Sequence, residues 1–238
     1  MNNNSKTRQI IAMGGGGFTM EPGNPLLDEY VLSQSPGKNP RICFLPTASN
    51  DNSEYIRDFY AYFTTRACQP SHLSLTEPHT SNFESYLLDQ DIIYVGGGNT
   101  GRMLALWKKY SLDVILKKAW DQGILLAGVS AGAACWFEQA LTDSIPGKLT
   151  GEKCLGFLKG SYCAHYDNTG RRPTFHRFIR TRELQNGIGV DNFAALHLVN
   201  RQVKKVVSSR PDAAAYTVRK EGKQTLEKPM KSLYLGTP

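Results

Sequence analysis

The chain has 238 residues, of which 40% are hydrophobic and 21% charged. Those are the proportions of an ordinary folded protein, which excludes a disordered or fibrous chain and fits one α/β domain over residues 1–238. The net charge of +7 is scattered through Lys108-Lys109, Lys117-Lys118, Arg171-Arg172 and Lys204-Lys205 with no basic stripe or binding motif, so nucleic acid is not an expected partner.

No apolar run is long enough to span a bilayer, and residues 1–8 lack the apolar core of a signal peptide, so the expected location is the cytoplasm, away from membranes. Five cysteines without CxxC spacing argue against a disulfide framework and against zinc. No metal or other cofactor is expected.

In chain order, residues 9–13 read as a buried strand ending in Gly14-Gly15-Gly16-Gly17, and residues 41–46 as a second strand. Residues 54–66 place Ile56, Phe59, Tyr60 and Phe63 on one helical face. Residues 72–75 form a short strand and residues 91–95 a clear one, which stops at Gly96-Gly97-Gly98. Helices are expected over 102–110 and 112–122, then a strand over 124–128 and a helix from Ala133.

Strands that are apolar at every position and separated by helix-sized segments indicate a three-layer, doubly wound, mostly parallel sheet. Beyond residue 141 the pattern weakens. Residues 142–156 read as irregular, 160–165 as a strand and 175–186 as a helix. Strands follow over 194–199, 204–207, 213–219 and 231–235, with Gly222 in a turn.

The chemistry concentrates in Gly128-Val129-Ser130-Ala131-Gly132, a G-x-S-x-G sequence between a buried strand and a helix. Such an elbow needs small residues two before and two after the serine, because the tight turn brings backbone against both. The turn exposes the Ser130 hydroxyl as a nucleophile and aims the first amides of the helix, Ala131 foremost, at a developing oxyanion. Gly97 and Gly98 are candidates for the second donor, since a bare backbone can approach a reacting carbonyl closely.

A serine nucleophile needs a base within hydrogen-bond reach. Of five histidines, His165 ends a strand and opens into a polar loop, the expected position for that base. Its second ring nitrogen needs a partner, for which Asp143, Asp191 and Asn192 are the candidates; a carboxylate would stabilise the imidazolium, whereas Asn192 could only orient the ring. Gly14 to Gly17 do not form a dinucleotide-binding fingerprint, because Thr19 occupies the position of the last glycine.

Together, Val95-Gly96-Gly97-Gly98-Asn99-Thr100, the Ser130 elbow and Ala164-His165-Tyr166 resemble the peptidase E (aspartyl dipeptidase) family over nearly the whole chain. Cyanophycinase belongs to the same superfamily, whose fold is similar to the class I glutamine amidotransferase domain with serine in place of cysteine. The resemblance implies hydrolysis of Asp-X dipeptides through an acyl-enzyme, with Ser130 and His165 as nucleophile and base. It also implies oxyanion donors at Gly97 or Gly98 and Ala131.

The resemblance further implies a third member at Asp143, within Thr142-Asp143-Ser144-Ile145-Pro146. The cyanophycinase pattern would instead put a glutamate where this chain has Asn192. Peptidase E pairs the substrate aspartate with a positive group, for which Arg171 and Arg172 stand in the right loop, and Asn99 is a candidate to hold the substrate main chain. A small peptide is the implied partner, and a homodimer is compatible with the resemblance. A cyanophycinase-like amide hydrolase and an inactive binding protein are the competing readings.

Overall fold

The computed structural model describes residues 7–237. Most of residues 1–8, where the sequence lacks a signal-peptide core, lies outside the described residues. The chain opens with β1 (Gln9–Met13), α1 (Gly17–Met20) and α2 (Leu26–Ser33). Then come β2 (Arg41–Leu45), a 3-10 turn at Thr47–Ser49, α3 (Ser53–Phe63), β3 (Gln69–His72), α4 (Phe83–Leu88) and β4 (Ile92–Val95). The helices α5 (Thr100–Lys109) and α6 (Leu112–Asp121) lead to β5 (Leu125–Val129) and the short α7 (Ala131–Ala134).

The second half contains β6 (Phe137–Ile145), β7 (Lys148–Lys153), β8 (Leu158–Cys163), α8 (Arg171–Thr181) and β9 (Gly187–Val190). It ends with β10 (Ala194–Val199), β11 (Gln202–Ser208), β12 (Ala215–Glu221), β13 (Gln224–Met230) and β14 (Ser232–Tyr234).

Eight strands form the main sheet in the order β14-β11-β10-β1-β5-β4-β2-β3. From β1 to β3 every pairing is parallel, whereas β10 runs antiparallel to both β1 and β11. Alternate residues of the six inner strands enter opposite cores, as a pleated strand requires. In β1, Ile10 and Ala12 join a core containing Trp107, Trp120 and Trp136, while Ile11 and Met13 join one containing Phe18, Phe59 and Phe63. That division produces the three layers expected from the all-apolar strands.

The second core is strongly aromatic. Phe44 stacks on Phe59 with ring centroids 4.8 Å apart, and Phe59 meets Phe63 at 4.6 Å. Burying each ring stabilises the fold by roughly 1.5–3 kcal/mol, which anchors α3 beside the strand ends that carry the site.

A second sheet of six strands, in the order β13-β12-β9-β8-β6-β7, stands where the sequence pattern was weakest. Residues 142–156, expected to be irregular, instead belong largely to the antiparallel pair β6 and β7. The edge strand β7, Lys-Leu-Thr-Gly-Glu-Lys, has no buried residue, so it lacks the apolar alternation that announces a strand.

The helix expected from Ala133 ends at Ala134, and β6 begins at Phe137. Strand β13 was also missed, being a polar edge strand whose residues are exposed or half-buried. Helix α8 starts four residues earlier than its pattern suggested and packs Phe175, Phe178 and Ile179 into a small core against this sheet.

Candidate active site

The turn after β5 explains both flanking glycines. A Cβ placed on Gly128 would lie 2.1 Å from the carbonyl oxygen of Gly132, and one on Gly132 would lie 2.2 Å from that of Val95. Neither backbone can yield without moving α7 or the sheet beneath it. Between them Ser130 is held at φ 55°, a left-handed conformation costly for a side-chain-bearing residue. Its N–H donates to Met13 O at 3.1 Å, so the central strands themselves hold the bend.

His165 follows β8 and also has a positive φ, of 50°. Its N–H donates to Gly14 O, and the next residue, Tyr166, donates its N–H to Val190 O. This pins the imidazole between the end of β1 and that of β9. Nε2 of His165 lies 2.8 Å from the Ser130 hydroxyl, and Nδ1 lies 2.6 Å from Asn192 Oδ1. Because Asn192 Oδ1 can only accept, Nδ1 carries the proton and Nε2 accepts from Ser130.

Burial pushes the His165 pKa below the ordinary histidine value. The hydrogen bond to Asn192 opposes this shift, the Arg171 charge adds to it, and the Asp143 and Asp167 carboxylates oppose it. The imidazole is therefore neutral at neutral pH, the form that can take a proton.

Of the three candidates for the third position, only Asn192 meets the imidazole. Asp143, 63% exposed, binds Arg171 at 2.7 Å. Asp191 accepts from Ala214 N–H at 3.2 Å and serves the start of β12; burial pushes its pKa up to about 6. The expectations for Asp143 and Asp191 are thus corrected. Asp143 stands at the far end of β6, where the buried Arg171 guanidinium captures it.

Two proposed substrate ligands are also occupied. Asn99 caps α5 by accepting from Arg102 N–H at 2.8 Å and donates Nδ2 to Ser144 O at 2.8 Å. It is a tie between α5 and β6. Arg172 grips Glu227 side-on through Nε and Nη2 and lies over the Tyr216 ring, so its charge is already met. Arg171 is different: only 9% exposed, it acts on His165 electrostatically, and it keeps the exposed Asp143 as its acidic partner.

In the glycine turn after β4, a Cβ on Gly97 would lie 3.4 Å from Ser130 Cβ, which puts this bare backbone against the nucleophile. The Gly97 N–H donates to the Tyr55 hydroxyl at 3.2 Å. Gly98 has φ 137°, and a Cβ there would strike Ala48 O at 2.3 Å, so it shapes the turn. Ala131 opens α7 and presents an unsatisfied first-turn amide beside Ser130.

Two residues at the site were missed. A Cβ on Gly15 would lie 2.1 Å from Asn192 Oδ1 and 2.9 Å from His165 Nδ1, so this glycine makes room for their contact; its signal was the glycine run after β1. Asp167 binds Asn192 from behind, and nothing in its local sequence marked it. Among the described residues no three His, Cys, Asp or Glu side chains are grouped closely enough to hold a metal ion, and no helix is long and apolar enough to cross a membrane.

The model of peptidase family S51 matches residues 10–206. A curated relative from Bacillus subtilis (strain 168), named an uncharacterized peptidase YgaJ, is 53% identical over 230 residues, covering 96% of this chain and all of that protein. The chain belongs to peptidase family S51.

Two solved structures share the S51 fold. A peptidase from an acI-B1 Actinobacterium aligns with a TM-score of 0.69 at 17% identity, over 97% of this chain and all of that one. A putative peptidase E protein from Listeria monocytogenes EGD-e aligns at 0.58 and 19% identity, over 94% of this chain and all of that one. The chain is thus a peptidase, and the serine type fits the S51 family. The expected resemblance and fold class both hold. The S51 match ends before β12, so Glu227, the partner of Arg172, lies beyond it.

Proposed function

We propose that this S51 peptidase cleaves short peptides after an N-terminal aspartate, using Ser130 as nucleophile and His165 as general base. The observation that carries the reading is the 2.8 Å contact between Ser130 Oγ and His165 Nε2. His165 takes the hydroxyl proton as Ser130 attacks the carbonyl, then gives it to the leaving amine; water, activated by the same imidazole, releases the acyl group. Asn192 orients the ring.

The Ala131 amide holds the oxyanion together with the Gly98 amide of the adjacent turn, the Gly97 N–H being committed to the Tyr55 hydroxyl. Arg171 takes the substrate carboxylate in place of Asp143, because a planar guanidinium suits bidentate carboxylate binding. The cytoplasm is the proposed location, supported by five free cysteines, four of them buried, as expected in a reducing compartment.

The test is a panel of Asp-X dipeptides, β-linked aspartyl peptides and Ala-X controls, run with wild type and Ser130→Ala. Turnover of Asp-X peptides that vanishes in Ser130→Ala is expected. Activity confined to the β-linked peptides would overturn the specificity, and failure of a fluorophosphonate to label Ser130 would overturn the mechanism.

A further inference from the structure

We propose that Asp167 is a positioning residue for the His165 imidazole, acting through Asn192 as a fixed amide relay; the inference rests on the roles of Ser130 and His165 given above. Asp167 Oδ1 accepts from Asn192 N and from Nδ2, both at 2.9 Å, and Oδ2 accepts from Nδ2 at 2.9 Å. A carboxylate only accepts, so the NH2 end of Asn192 must face Asp167. Its carbonyl end is then the one that faces Nδ1, at 2.6 Å.

The chain of roles is forced from its far end. A flipped amide would turn its oxygen toward two carboxylate oxygens and its NH2 toward Nδ1, leaving that nitrogen to accept and Nε2 to carry the proton. In that tautomer Nε2 could not take the Ser130 proton. Gly15 closes the side of the relay, since a Cβ there would lie 2.1 Å from Asn192 Oδ1, and the 9% exposure of Asn192 leaves its side chain little other room.

The relay also answers the missing carboxylate at the third position. As Ser130 attacks, His165 becomes an imidazolium that a neutral amide steadies only weakly. A carboxylate bound to the NH2 end of that amide polarises its carbonyl, because hydrogen bonds in series strengthen one another. The other charged groups acting on the ring are Arg171, which opposes its protonation, and Asp143, which favours it. Asp167 is exposed, so its substitution spares the core.

The experiment compares wild type with Asp167→Ala and with the exchange Asp167→Asn/Asn192→Asp, which moves the carboxylate next to the imidazole and keeps an amide behind it. Asp167→Ala should lower kcat roughly ten-fold with KM unchanged, a fraction of the roughly 10²- to 10⁴-fold that a general base supplies. The acid limb of its pH profile should move to lower pH. The exchange should recover most of the lost kcat.

Nitrogen NMR of His165 should show the Nδ1–H tautomer in wild type and a mixture in Asp167→Ala. Unchanged kcat and tautomer in Asp167→Ala, or an exchange no faster than it, would overturn the relay. The NMR result does not depend on turnover. Loss of the Ser130–His165 reading, seen as an unlabelled Ser130, is therefore separable from loss of the relay.

Discussion

The buried guanidinium of Arg171 holds the exposed carboxylate of Asp143 at 2.7 Å, close enough to His165 for both charges to act on its ring. This pairing separates Asp143 from the imidazole and gives it a different expected effect from Asn192. Asn192→Ala should lower kcat by about 10²-fold, the scale of a misplaced catalytic group. Asp143→Ala should keep kcat within a few-fold. By freeing Arg171 it should lower KM for Asp-X peptides up to about five-fold, since an ion pair with an exposed partner is worth about 0–1 kcal/mol. Steady-state kinetics of both variants on one Asp-X dipeptide distinguish the two roles.

Gly132→Ala should cost about 1–3 kcal/mol of stability, the price of overpacking, because the new Cβ would lie 2.2 Å from Val95 O. Activity should fall further than stability, since the strain is relieved by moving the Ser130 turn. Urea denaturation and Ser130 labelling on the same sample compare the two losses.

Activity should fall as pH drops through the His165 pKa, and that acid limb should lie below the ordinary histidine value because burial lowers this pKa. The sign for stability is the same. Between the folded and the unfolded pKa the unfolded chain binds more protons, so the contribution is present above the unfolded value and lost as pH falls through the folded one. A pH profile of kcat/KM beside one of Tm checks both; an acid limb above the free-histidine value would contradict the burial argument.

Glu227, with its side chain 18% exposed, accepts from the Tyr166 hydroxyl at 2.5 Å, from His176 Nε2 at 2.8 Å and from Arg172. Glu227→Ala strips three donors of a common acceptor and should destabilise the fold by about 2–3 kcal/mol. Because Tyr166 follows His165 directly, kcat should fall by a few-fold while KM for Asp-X peptides stays unchanged. A rise in KM specific to acidic substrates would show that Arg172 takes part in recognition after all.

In the parallel half of the main sheet β1, β2, β4 and β5 were legible because they are apolar on both faces, as in the fully buried β5, whereas the edge strand β3 has no buried residue and begins three residues before the strand expected at 72–75. The second sheet was not legible. Its edges, β7 and β13, are polar on both sides, and their stability comes from pairing with β6 and β12, which no local pattern records. The two corrected assignments depended on that sheet: Asp143 lies on β6 and pairs with Arg171, and Asp191 follows β9 and binds the Ala214 amide ahead of β12.

Ser130 and its two glycines are determined by the sequence alone, since the steric demand of the elbow acts over five consecutive residues and leaves its mark in them. His165 was legible as a polar residue at a strand end. Which group would touch its other nitrogen was decided only by tertiary structure. The ends of β1, β8 and β9 meet there, and hydrogen bonding selects by distance and direction. Residues 143 and 192 therefore looked equivalent along the chain, and only folding set one of them 2.6 Å from the ring.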